Sequence, residues 1–162
     1  MRKYIITPAL LAIVCMVMCH CTFNRKASVA ANEYLIQGEL ANLPDSIVIG
    51  LYEEDGNILN CVLRDTLMDG QFSFRDTVST TRKMLIMSDN RGFPGTWLEV
   101  WIAPGEYIEI KGQDKLVKTW EVVSDVPEQQ EENRFMACAM AQQKELMQYM
   151  ACLLYTSDAA DD

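Results

Sequence analysis

Alternation of apolar and polar residues with a period of two, from residue 33 to residue 124, constrains the fold of this chain most. Successive side chains of a β-strand point to opposite faces, so this period predicts strands that each bury one face. The runs are separated by residues typical of turns, mainly Gly, Pro, Asn and Asp. Strands are expected at 34–40, 46–52, 58–67, 71–75, 83–87, 96–103, 107–112 and 118–123.

About eight short strands at this spacing, without helices between them, predict an all-β domain. The expected architecture is an antiparallel β-sandwich or barrel. Asp69-Gly70 is the strongest hairpin signal, since both residues tolerate the positive φ that a two-residue turn requires.

The period changes at Pro127, which predicts one C-terminal amphipathic helix over 125–151. Proline favours the first helical position, and acidic residues such as Glu128 suit the positive end of the helix dipole. The apolar positions that follow helical spacing include Phe135, Met136, Met140 and Leu146. Thioethers can bind copper, but adaptable methionine packing explains the same stripe, and we interpret it as packing.

Composition excludes several classes of function. The chain has 14 basic and 23 acidic side chains and a net charge of −9, which argues against nucleic-acid binding. Its single histidine, His20, excludes a Ser/His/Asp triad or a multi-histidine zinc site in the body of the chain. Cys61 and Cys138 form no Cys-x-x-Cys motif and are expected to be buried free thiols. We therefore expect no catalytic residue, cofactor or metal site.

The strand expected at 96–103 carries aromatic side chains on its second face. Leu98, Val100 and Ile102 share the face that a core requires, while Trp97 and Trp101 share the other. Trp97 and Trp101 are therefore the candidate interaction face. Cover by the C-terminal helix or by another domain is the expected role, and stacking on a sugar is the alternative.

The N-terminus is typical of an export signal, expected at 1–21 as a helix. Arg2 and Lys3 precede an apolar run at 4–18 that is shorter than a membrane span. Cys19 and Cys21 are the lipidation candidates, which would attach the protein to a membrane. Neither cysteine follows a small residue, so ordinary cleavage within 27–31 stays open.

The last residues, 152–162, resemble the in-frame translation of a transposon-end sequencing adapter. They are expected to be a sequencing artefact, with the natural protein continuing beyond residue 151. The chain is thus expected to divide into an export segment at 1–21, a linker at 22–32, a β-sandwich domain at 33–124, a connector helix at 125–151 and the tail at 152–162.

Three segments together resemble a known bacterial family. They carry Leu43-Pro44-Asp45, Asp69-Gly70 and Pro104-Gly105 within 34–45, 64–74 and 102–112. The family is a β-rich domain of unknown function that precedes thioredoxin-like domains in envelope lipoproteins of Gram-negative gut bacteria. The resemblance covers 33–124 and implies a following thiol–disulfide oxidoreductase domain, whose Cys-x-x-Cys this chain lacks.

The expected function is therefore a non-catalytic module of an exported, envelope-tethered protein, periplasmic or anchored in the outer membrane. Its expected partners are a missing C-terminal domain of the same protein and, through a lipid anchor, the membrane. The alternative is a stand-alone surface or periplasmic lipoprotein that binds a glycan or peptide.

Overall fold

The computed structural model describes residues 28–158, and within them eight strands and one long α-helix are formed. The strands are β1 (Glu33–Leu40), β2 (Val48–Asp55), β3 (Ile58–Thr66), β4 (Gln71–Thr77), β5 (Arg82–Met87), β6 (Leu98–Ile102), β7 (Tyr107–Gly112) and β8 (Glu121–Val123). A short 3-10 helix, Val117–Thr119, precedes β8, and the α-helix α1 spans Pro127–Asp158. The expected mostly-β fold with one C-terminal helix is confirmed.

The strands form two four-stranded sheets, in the orders β4-β1-β7-β8 and β3-β2-β5-β6. The architecture is a sandwich, which decides between the two predicted arrangements. Every strand pair is antiparallel except β1 with β7, which run parallel from the pair Leu35–Tyr107 to the pair Leu40–Gly112. The purely antiparallel expectation is wrong there, because β7 arrives from the other sheet rather than through a hairpin with β1.

The core lies between the two sheets and contains the inward side chains that the period-two alternation predicts. Its fully buried members include Ile36, Ile49, Ile86, Val100 and Ile108. The larger cluster also holds Tyr34, Leu40, Ile47, Leu51, Leu67, Phe72, Phe74, Val78, Met84, Phe93, Leu98, Ile102, Ile110, Val117, Trp120 and Val122.

The Asp69-Gly70 turn is confirmed, since both residues have positive φ, 51° and 74°. The strands on either side do not form the expected hairpin, however. β3 and β4 belong to different sheets, and only the bridge between Met68 and Gln71 closes the turn. The turn is thus a corner where the chain crosses between the two layers of the sandwich.

The strand expected at 118–123 is shorter than predicted. Lys118 and Thr119 lie in the 3-10 helix, where the Thr119 hydroxyl donates to the carbonyl of Leu116 at 2.8 Å. The indole Nε1 of Trp120 donates to the carbonyl of Asp114 at 2.9 Å. These local bonds satisfy the segment without a neighbouring strand, so β8 begins only at Glu121.

The helix α1 begins at Pro127, where the sequence period changes, and its backbone continues past residue 151 to Asp158. None of the helices within residues 28–158 combines the length and apolarity that a membrane span requires. The predicted export segment at 1–21, with Cys19 and Cys21, lies outside the described residues.

Candidate interaction site at Trp97, Trp101 and the base of helix α1

The two tryptophans predicted to share a face lie in different settings. Trp101 is within β6 and half-buried on the outer face of its sheet, beside the half-buried Glu99. Trp97 precedes β6 in the loop and is 36% exposed. The inward set, Leu98, Val100 and Ile102, is buried as expected.

Trp97 is in contact with a lysine of the 3-10 helix that precedes β8. Lys118 Nζ lies 5.8 Å from the centroid of the Trp97 ring, a cation–π distance. A second contact of this kind places Lys115 Nζ 6.0 Å from the Phe93 ring centroid. Together they connect the loop before β6 to the loop before β8.

Trp101 is held through its backbone by the first turns of α1. Its N–H donates to Oε1 of Gln129 at 2.8 Å, and Gln129 is only 1% exposed. Nε2 of Gln129 donates to Oδ1 of Asn133 at 3.0 Å. Nδ2 of Asn133 donates in turn to the carbonyl of Val122 at 2.7 Å. We call Gln129 and Asn133 the amide clamp.

The amide clamp joins two sheets that share no strand. Trp101 is on β6, the edge of one sheet, and Val122 is on β8, the edge of the other. Unpaired backbone groups at a sheet edge are costly when buried and attract foreign strands when exposed. The clamp satisfies one group on each edge and thereby fixes the base of α1 against the open side of the sandwich.

A groove with a cavity volume of about 420 Å³ lies between α1 and the end of the sandwich. Met136 and Met140 line it from the helix, and Leu98 and Trp120 line it from the sandwich. Phe135, one of the apolar helix residues expected to cover Trp97 or Trp101, does not do so, because it is 70% exposed.

Three large apolar residues of α1 lie outside the lining of the groove. Leu146 is 51% exposed and Tyr149 is 63% exposed, in addition to Phe135. Their spacings of eleven and three residues place these side chains on one face of the helix, and a contiguous exposed apolar face is typical of an interaction surface.

A polar cluster lies around Tyr52, on strands β2 and β3 of the same sheet as Trp101. Tyr52 is buried, and its hydroxyl donates to Oδ2 of Asp89 at 2.7 Å. Burial and this hydrogen bond raise the pKa of Tyr52 from 10.0 to about 12. Directly opposite Tyr52 on β3, Cys61 accepts a bond from Nε of Arg64 at 3.1 Å.

The expected burial of the free thiols is wrong. Cys61 lies on β3 and Cys138 on α1, and both are exposed. β3 is an edge strand and Cys138 lies on the helix away from the groove lining, so neither position is covered by the described chain. Among residues 28–158, no group of three or more His, Cys, Asp or Glu side chains is placed to hold a metal ion.

Sequence reasoning missed the amide clamp. Gln129 and Asn133 are polar residues in the first turns of a helix, where solvent exposure is the ordinary expectation. Their spacing of four, which places them on one face of the helix, was the available signal.

No protein-family model, curated protein or solved structure matches this chain.

Proposed function

We propose that this chain is a non-catalytic β-sandwich module of an exported, envelope-tethered protein. In this proposal α1 is the connector to a thioredoxin-like thiol–disulfide oxidoreductase domain that follows in the complete protein. The observation that carries the proposal is the combination of a fixed helix base with exposed apolar side chains farther along the helix.

The base of α1 supports a connector role because it is rigidly attached. The amide clamp bonds the helix to both sheets, and Val126, just before the helix, is 1% exposed. A domain attached to the far end would therefore hold a defined orientation relative to the sandwich.

The exposed apolar side chains of α1 support a further domain as the partner that covers them. Burying a large apolar side chain contributes about 1.5–3 kcal/mol, and Phe135, Leu146 and Tyr149 are left largely uncovered within the described residues. A following domain is close in sequence to these side chains, so packing against them carries a small loop-closure cost.

The module itself has the character of a scaffold. Its buried polar side chain Gln129 is used to cap a sheet edge, and the Tyr52–Asp89 bond joins a strand to a loop. Neither arrangement presents a nucleophile beside a general base. The resemblance of 33–124 to the domain that precedes thioredoxin-like domains agrees with this role.

Independent sequencing of the gene tests the proposal directly. Reads from DNA prepared without the transposon adapter are expected to diverge from this sequence after Ala151. They are expected to encode a strand followed by Cys-x-x-Cys at a helix start within about 100 residues, roughly one domain. An independently assembled gene that encodes 152–162 and then stops would overturn it.

A stand-alone binding lipoprotein is the second candidate function. The observation that favours it is the 36% exposure of Trp97 beside Lys118, since an indole face with a nearby donor can stack on a sugar. Tryptophan fluorescence titrated with oligosaccharides, for the chain and for Trp97→Ala, measures this. Saturable quenching that Trp97→Ala removes would support this candidate over the connector module.

A further inference from the structure

The two sheets of the sandwich have four edge strands. On three of them, a side chain from another element caps the edge by a hydrogen bond to one of its backbone groups. Gln129 accepts from β6 and Asn133 donates to β8, as described above. At β4, Oδ2 of Asp65 accepts from the backbone N–H of Ser73 at 2.7 Å. Such caps are a usual means by which sheets avoid pairing with other chains.

The fourth edge is β3, and its first half has no such cap. Within residues 28–158, no hydrogen bond from outside the β2–β3 hairpin reaches the segment from Ile58 to Val62. Ile58 is 63% exposed, Leu59 39% and Val62 36%. The segment contains no proline and no charge. An exposed edge without charge or proline is a template for strand addition.

We propose that this edge of β3 pairs with the same edge of a second copy of the chain, in antiparallel orientation about a two-fold axis. The two sheets would then become one continuous sheet across the interface. Closed two-fold symmetry uses the same surface on both subunits, so a single exposed edge is sufficient.

The register follows from the hairpin. Asp55 and Ile58 flank its two-residue turn and form the closing pair, so the backbone groups of Ile58 and Asn60 face β2. Those of Leu59 and Cys61 consequently face outward. Leu59 of each copy then pairs with Cys61 of the other. Each of the two pairs exchanges two backbone hydrogen bonds, which gives about four in total. This places Asn60 opposite its own copy at the two-fold axis.

Charge favours a second copy as the occupant. The β2 end of the hairpin is acidic, with Glu54 and Asp55 both exposed, and the only basic residue of β3 is Arg64. β3 has a β-bulge at Val62, so in the register centred on Asn60 Arg64 lies within about one residue of Gly56 of the second copy, beside that acidic tip. The symmetry makes this opposite-charge contact twice.

Site-specific disulfide cross-linking tests the register. The protein is the full chain with its six cysteines replaced by serine and with Asn60→Cys added. Mild oxidation is expected to give a covalent dimer at twice the 18.4 kDa chain mass, because the two introduced thiols face each other. Val123→Cys, which is 48% exposed on β8, is the matched control and is expected to stay monomeric.

Two further variants locate the interaction on the edge. Leu59→Pro removes an outward N–H while leaving the bonds to β2, and it is expected to reduce cross-linking to the control level. Arg64→Glu is expected to raise the dimer dissociation constant roughly tenfold, and Arg64→Glu with Asp55→Arg to restore it. Far-UV circular dichroism verifies that each variant is folded.

The proposal fails if Asn60→Cys cross-links no faster than Val123→Cys in folded protein. It also fails if Asp55→Arg does not rescue Arg64→Glu. If the folded protein with an unaltered β3 edge stays monomeric, a second copy is excluded as the occupant. The remaining occupant would be an extended strand of a different protein.

Discussion

Replacing Gln129 by alanine is expected to destabilise the protein more than any other single change to a polar side chain of α1. The side chain is 1% exposed and accepts the backbone N–H of Trp101 at 2.8 Å. Without it, a buried donor is unsatisfied, which costs about 1–3 kcal/mol. The loss of two buried methylene-sized groups adds roughly 1.5 kcal/mol, and recovered side-chain entropy offsets about the same amount.

The expected net loss in the free energy of unfolding is therefore about 1–3 kcal/mol, roughly a 4–12 °C fall in the melting temperature of a domain of this size. Urea denaturation followed by circular dichroism measures it. Gln129→Met keeps the side-chain length but removes the acceptor. It is expected to show most of the same decrease in the free energy of unfolding, because the lost hydrogen bond causes most of that decrease.

Gln130→Ala is the matched control, since its amide lies next in sequence and makes only an exposed contact to the Ser124 carbonyl at 3.5 Å. It is expected to change stability by less than about 0.5 kcal/mol. If Gln129→Ala and Gln130→Ala prove equally mild, the amide clamp does not hold α1 on the sandwich, and the rigid connector is refuted.

Three other outcomes are expected. Gly38→Ala should destabilise the fold by about 2 kcal/mol or more, because its Cβ would lie 1.9 Å from the Phe72 ring, whereas Gly95→Ala has no atom within 4 Å and should be neutral in thermal melts. The Tyr52 phenol, whose folded pKa is raised to about 12, should contribute stability that is complete below pH 10 and lost as the pH rises to about 12; Tyr52→Phe should flatten that loss in urea melts at successive pH values. The fragment 22–151 should not catalyse insulin reduction by dithiothreitol, and turnover that Cys61→Ser abolishes would contradict the non-catalytic proposal.

The fold class was predictable because period two is a local property of the sequence. The inward set of β6, Leu98, Val100 and Ile102, follows from alternation alone, and the core confirms it. The turn at Asp69-Gly70 was predictable for a similar reason, since positive φ is a preference of the residues themselves. Neither prediction requires knowledge of which strands become neighbours.

Strand partners could not be predicted, because pairing is decided by contacts between residues far apart in the chain. β1 and β7 pair in parallel across more than sixty intervening residues, and nothing local to either strand marks this. The same limitation explains Cys61, whose exposure depends on β3 being an edge that no other described element covers.

The sequence by itself determined a mostly-β chain with one helix, since backbone preference and side-chain alternation act over a few residues. Only the tertiary structure decided what the polar residues of that helix do. Gln129 and Asn133 resemble solvent-facing residues until α1 is placed against the open edges of both sheets. There their amides satisfy backbone groups at two partly buried sheet edges, because a hydrogen-bonding group that loses contact with water must find a partner within the fold.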